Sequence, residues 1–203
     1  MTEATVSSRS ACAVDSARRS GVTLVISILA LISFINPLPA ILQFDRTQPW
    51  ELWRWITCHL THWSADHLFW DLLVFAAIGA VCERLDRRRF VWTLALSAPS
   101  ISLAVALCQP QLQSYRGLSG IDSTLFGLLG GQLLRSRQQT QRTIIAATVL
   151  LFTIKLAIEM LTGGAVFVDS HRAGFAPVPL AHAVGAVVGF MCATASTREI
   201  PRA

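Results

Sequence analysis

Charge is scarce in this chain. Of its 203 residues only 14% are Asp, Glu, Lys or Arg, whereas 53% are hydrophobic. Soluble domains carry roughly 25% charged residues, so an ordinary water-facing surface is excluded. A mean hydropathy of +0.51 agrees. The five cysteines, Cys12, Cys58, Cys82, Cys108 and Cys192, include no CxxC pair, so neither a disulfide framework nor a cysteine metal cluster follows. The net charge of +5 calls for no nucleic-acid partner, because most of it lies in loops that set membrane topology.

Long apolar runs dominate instead. Six occur, at residues 22–43, 67–82, 90–108, 117–134, 143–162 and 178–197. A helix needs about 20 apolar residues to cross about 30 Å of hydrocarbon, with about 17 as the lower limit. Spans 3, 5 and 6 meet this. Span 1 exceeds it, with Pro37 and Pro39 near its end. Spans 2 and 4 are shorter or carry polar residues, and are expected to be shielded by their neighbours. The reading is an all-α membrane protein: a single six-helix domain over residues 21–197, with short tails at 1–20 and 198–203.

Arginine sets the orientation. Twelve arginines (Arg9, Arg18, Arg19, Arg84, Arg87, Arg88, Arg89, Arg135, Arg137, Arg142, Arg198 and Arg202) fall on one side of the spans. Four (Arg46, Arg54, Arg116 and Arg172) fall on the other. The positive-inside rule makes both termini cytoplasmic. The polar leader is long and no small-x-small cleavage site follows span 1, so that span is expected to be retained rather than removed as a signal peptide.

With that topology, spans 2, 4 and 6 all begin at the outer face, and each begins with a polar motif. These are His62-Trp63-Ser64-Ala65-Asp66-His67 running on to Asp71, then Gly117-Leu118-Ser119-Gly120, then His182-Ala183-Val184-Gly185. Polar groups inside a membrane are costly and mark function by default. Asp71, Ser119 and His182 are expected at one depth below the outer surface. Helix N-termini also offer free N–H groups and a positive dipole end, suited to a developing oxyanion. Small residues favour close helix packing in lipid. Gly120, Gly127, Gly130 and Gly131 in span 4, with Gly185 and Gly189 in span 6, would bring Ser119 to His182, although packing alone accounts for them.

The loop at 44–66 holds Trp50, Trp53, Trp55 and Trp63, with Trp70 just beyond. Tryptophan prefers the headgroup level, so this loop is expected to lie partly in the outer leaflet. Two competing functions can be written. His59, His62, His67 and Asp71 could ligate zinc, but they match no HExxH helix and leave Ser119 and His182 idle. Lys155 and Glu159 could line an ion path. An in-register ion pair on a buried or cytoplasm-facing side of span 5 suits them better.

Trp53-Arg54, His62, His67 and Asp71, then Glu83-Arg84, Gly117-Leu118-Ser119-Gly120 and His182-x-x-Gly185-x-x-x-Gly189 together resemble the rhomboid intramembrane proteases. The resemblance covers nearly the whole chain in the family's order and sidedness. The six-helix size and the Tyr115-Arg116 context look most like the rhombosortase branch, thought to process proteins with C-terminal Gly-rich anchors. The resemblance implies a Ser119–His182 dyad without an obligatory carboxylate. His182 would accept the serine proton and return it to the leaving amine. His67 and the Ser119 N–H are the oxyanion donors expected, with Asp71, Gly117 and Gly120 in support and Arg54, His62, Asp122 and Ser123 in structural roles.

Two departures stand out. Rhomboids usually have asparagine where Asp71 stands, so this carboxyl must be protonated, paired or turned away. Ser123 occupies a position where a ring often packs on the catalytic histidine. An inactive, membrane-protein-binding relative is therefore the alternative. No cofactor or metal is expected. The expected partners are the bilayer and single-pass transmembrane substrates, and the location a bacterial inner membrane with the site opening outward.

Overall fold

The computed structural model describes residues 20–134, 138–166, 168 and 170–195. The tails expected at 1–20 (Ser20 apart) and 198–203 lie outside the described residues, as do Arg9, Arg18, Arg19, Arg135, Arg137, Arg198 and Arg202.

The first apolar run is not one helix. It gives α1 (Gly21–Ser33) and a short α2 (Leu38–Leu42). Proline lacks an N–H and clashes with the preceding turn, so Pro37 and Pro39 break the run. Pro39 sits in the first turn of α2, where the missing donor costs nothing. The N-terminus of α1 is tied down by Glu83. Its carboxylate accepts from the Val22 and Thr23 N–H groups at 3.0 and 2.8 Å and from the Thr23 hydroxyl at 2.8 Å.

The following loop is ordered by two arginines that satisfy orphaned helix-end carbonyls. Before them, β1 (Phe44–Asp45) pairs antiparallel with β2 (Ser114–Tyr115), Phe44 opposite Tyr115. Arg46 donates to the carbonyls of Val105, Ala106, Gln109 and Leu112 at 2.8–3.3 Å. Arg54 opens α3 (Arg54–Thr57). It bonds the Ala40 and Gln43 carbonyls at 3.0 and 3.1 Å and pairs with Glu51. A 3-10 turn, Cys58–Leu60, completes the loop. Trp50, Leu52, Trp53 and Ile56 stay exposed on it.

The longer helices are α4 (Ala65–Leu85), capped by Ser64, α5 (Arg87–Cys108), capped by Asp86, α6 (Ser119–Leu134), α7 (Gln139–Thr162) and α9 (Pro179–Thr194). One turn, α8 (Ser170–Ala173), precedes α9. Among the described residues, α5 and α7 are long and apolar enough to cross a membrane, while α1 and α9 are apolar but shorter. Helix α4 is 21 residues long but carries Asp66, Asp71, Glu83 and Arg84. Asp71 and Glu83 are covered by neighbouring segments, whereas Asp66 and Arg84, near the two ends of the helix, are exposed.

Helices α6 and α9 form the tightest seam. A Cβ at Gly185 would strike the Gly120 carbonyl, one at Gly189 the Thr124 carbonyl, and one at Gly127 the Ala186 carbonyl. Glycine is required because backbone meets backbone. Around this seam the core contains Phe75, Phe90, Ile101, Leu118, Leu125 and Leu128. Helix α7 is peripheral, with Leu150, Leu151 and Leu161 more than 60% exposed. In water that face would be unstable; against acyl chains it is not.

Candidate active site

The β1–β2 pair delivers the chain to Gly117, whose φ of +125° is open to glycine and rarely to other residues. A Cβ there would also sit 3.0 Å from His67 Nε2. The backbone thus turns sharply under His67 and starts α6 at Ser119. Helix α6 begins against α9, and the seam puts Ser119 Oγ 3.0 Å from His182 Nε2. That is hydrogen-bond distance. His182 is 5% exposed.

The three polar motifs therefore meet. His67 and Asp71 lie on the first turns of α4, beside Gly117. Asp71 Oδ2 is 3.3 Å from His67 Nε2 and 3.2 Å from His62 Nε2. Of the three options for this carboxyl, pairing is the one observed, and the partners are imidazoles. Arg54 is engaged elsewhere, with Glu51 and the α2 carbonyls. Burial holds the His62 imidazole below its usual titration range. Its Nε2 also lies 3.4 Å from the Leu118 N–H, so His62 links the Asp71 pair to the residue preceding the serine. The first N–H groups of α6, at Ser119 and Gly120, have no carbonyl one turn earlier in the helix.

A layered stack covers His67. Phe175 lies parallel to its ring at 4.8 Å, Trp63 lies on Phe175 at 6.2 Å, and the Arg116 guanidinium sits 4.2 Å above Trp63. Ser123 turns back to donate to the Ser119 carbonyl at 2.8 Å, so it supports α6 and not the histidine ring. Asp122 is buried, and its Oδ1 has no hydrogen-bond partner. A cavity of about 650 Å³ opens beside the pair, lined by Trp70 and Val74 of α4, Asp122 and Phe126 of α6, and Phe152 and Lys155 of α7 among others.

His59 departs from the metal alternative. Its Nε2 lies 3.0 Å from the Ala98 carbonyl, and among the described residues no group of three His, Cys, Asp or Glu side chains is arranged to hold a metal. The Lys155–Glu159 pair exists, at 2.6 Å, and of the two sides expected for it the buried one is observed. Glu159 is 3% exposed, and its Oε2 is 3.1 Å from His182 Nδ1. The sequence reading missed this. The signal was available: span 5 runs opposite to spans 4 and 6, so residue 159, near its end, lies level with Ser119 and His182, near their starts.

Fold and site define a helical, lipid-facing protein with a serine–imidazole pair beside an apolar cavity. Comparison with family models is more specific: the rhomboid domain matches residues 49–199. The chain belongs to the rhomboid family. That family is generally one of serine intramembrane proteases acting on transmembrane substrates in the bilayer, and the chain is an integral membrane protein. No curated protein matches the sequence.

Proposed function

We propose that this chain is an intramembrane serine endopeptidase whose dyad is Ser119 and His182. The observation that carries the reading is the 3.0 Å approach of Ser119 Oγ to His182 Nε2, which joins residues 63 positions apart. His182 takes the hydroxyl proton as Oγ bonds to the scissile carbonyl carbon, then protonates the departing amine. Water hydrolyses the acyl-enzyme by the same route. The Ser119 N–H and His67 are the donors proposed for the oxyanion, with Gly117 and Gly120 shaping the turn. Asp71 and His62 hold His67 in place.

Six helices are proposed to cross the bilayer, both termini inside, with the Trp50–Trp53 loop in the outer leaflet of a bacterial inner membrane and the cavity opening outward. A substrate helix hides its peptide bonds in its own hydrogen bonds, so it must unwind to reach Ser119. Single-pass substrates with a small-residue or Gly-rich stretch near the outer face fit this need, in keeping with the rhombosortase likeness. The intact 3.0 Å contact favours this over the inactive alternative.

The test is cleavage of a reconstituted transmembrane substrate, alongside fluorophosphonate labelling. Ser119→Ala and His182→Ala should each abolish cleavage with normal expression, and Ser119→Ala should abolish labelling. Full activity in either variant would sink the reading. The double variant should be little worse than either single one, because the dyad acts as a unit.

A further inference from the structure

His182 Nδ1 is buried, and so is Glu159 Oε2; neither has a hydrogen-bond partner in line. They face each other at 3.1 Å, off the hydrogen-bonding direction. The other oxygen of Glu159 is fully engaged, by Lys155 Nζ at 2.6 Å and the Val166 N–H at 3.4 Å. One carboxylate oxygen is thus fixed by its own helix and the following turn, leaving the second free for the imidazole. A small ring rotation brings the two atoms into line, as catalytic contacts tighten on substrate binding.

We propose that Glu159 is the positioning residue of the dyad, so that the working unit is Ser119–His182–Glu159 with Lys155 as its counter-charge. This rests on the dyad reading above. With Nδ1–H directed at Glu159, the imidazole lone pair is on Nε2, facing Ser119. When Oγ bonds to the carbonyl carbon, its proton moves to Nε2 and the imidazolium forms between Oγ and the carboxylate. The same proton then passes to the leaving amine nitrogen as the C–N bond breaks. Glu159 stays ionised throughout, as the orienting carboxylate does in serine-protease triads. Lys155 offsets the cost of a buried carboxylate. The family's dyad needs no such acid, so this chain supplies a third member from α7.

The test uses the full-length protein in detergent with a transmembrane substrate. Glu159→Gln should lower kcat at least tenfold with KM within twofold, and slow fluorophosphonate labelling of Ser119 to match. Because that variant strands Lys155, the double variant Lys155→Met/Glu159→Gln is made beside it. It should show the same kcat loss even where thermal stability is restored. In histidine-labelled protein, NMR should report His182 protonated at Nδ1, a tautomer lost in both variants. Wild-type kcat and labelling in the stable double variant would overturn the proposal. So would an unchanged Nδ1–H signal. Retained cleavage by Ser119→Ala would overturn the dyad reading instead, and the NMR result, which needs no turnover, would still decide the role of Glu159.

Discussion

Adding one methyl group to the α6–α9 seam is expected to disable the protein without removing any polar group. In Gly185→Ala the new carbon would lie 2.9 Å from Thr124 Oγ1 and 3.1 Å from the Gly120 carbonyl carbon, and closer still to its oxygen. An ordinary carbon contact is about 3.5–4 Å, and the obstacle is backbone, so no rotamer change relieves it. The helices must part by roughly 1 Å. Overpacking of this kind costs about 1–3 kcal/mol. The larger effect is on geometry: Gly185 is three residues from His182, Gly120 adjoins Ser119, and the shift separates the 3.0 Å pair. A displacement of about 1 Å at reacting groups can cost about 10²-fold in rate. The control is Gly130→Ala, where a Cβ meets nothing within 4 Å. It should leave activity intact and gain up to about 1 kcal/mol of helix propensity. Cleavage kinetics and thermal unfolding in the same detergent separate the two. Wild-type activity in Gly185→Ala, or equal losses in both variants, would refute the argument.

Glu83→Gln removes a charged acceptor from two backbone N–H groups at the start of α1. Hydrogen bonds to charged groups are worth about 1.5–3 kcal/mol each, so thermal unfolding should move down clearly while kcat of the folded fraction is unchanged. Asp71→Asn keeps an acceptor between His62 and His67 and should remain active. Asp71→Leu leaves two imidazoles buried without it, a cost of about 1–3 kcal/mol, and should be both slower and less stable. Phe175→Leu keeps apolar volume but loses the ring over His67. Aromatic pairs contribute about 0.5–1.5 kcal/mol beyond area, so cleavage should fall roughly two- to tenfold, chiefly in kcat, whereas Phe175→Tyr should match the parent.

Five of the six apolar runs become single helices close to where the sequence locates them, and the first becomes two, because an apolar run bounded by arginine and polar turns has few other options. The meeting of Gly117, Ser119, His182 and His67 was legible for a physical reason: polar groups within apolar runs are costly, so their coincidence at one end is informative. Other features depended on contacts that no spacing encodes. Arg46 caps α5 from 59 to 66 residues away, and a guanidinium in a loop looks the same whether it caps a helix or faces water. Glu159 was read through its local i,i+4 partner, which is correct, but one carboxylate has two oxygens. The second reached another helix. Pro37 and Pro39 were seen, yet whether they end a helix or merely bend it is decided by what lies beyond them, here the return to β1.

Taken together, the buried carboxylates obey a common rule with one exception. Glu83 takes two backbone donors and a hydroxyl from α1, Asp71 lies between two imidazoles, and Glu159 joins Lys155 to His182. Each ties its own helix to another segment, so these costly charges also fix how the helices sit against one another. A carboxylate with its donors removed would be strongly destabilising, which keeps such contacts intact in lipid. Asp122 breaks the rule. It is buried, its Oδ1 lacks a donor, and it borders the cavity one turn beyond Ser119. Unsatisfied groups are rare in folded proteins and concentrate where function overrides stability. Both buried carboxylate oxygens without an in-line donor, Asp122 Oδ1 and Glu159 Oε2, lie next to the Ser119–His182 pair and not at the far ends of the helices, so the energetic cost falls where the 3.0 Å contact lies.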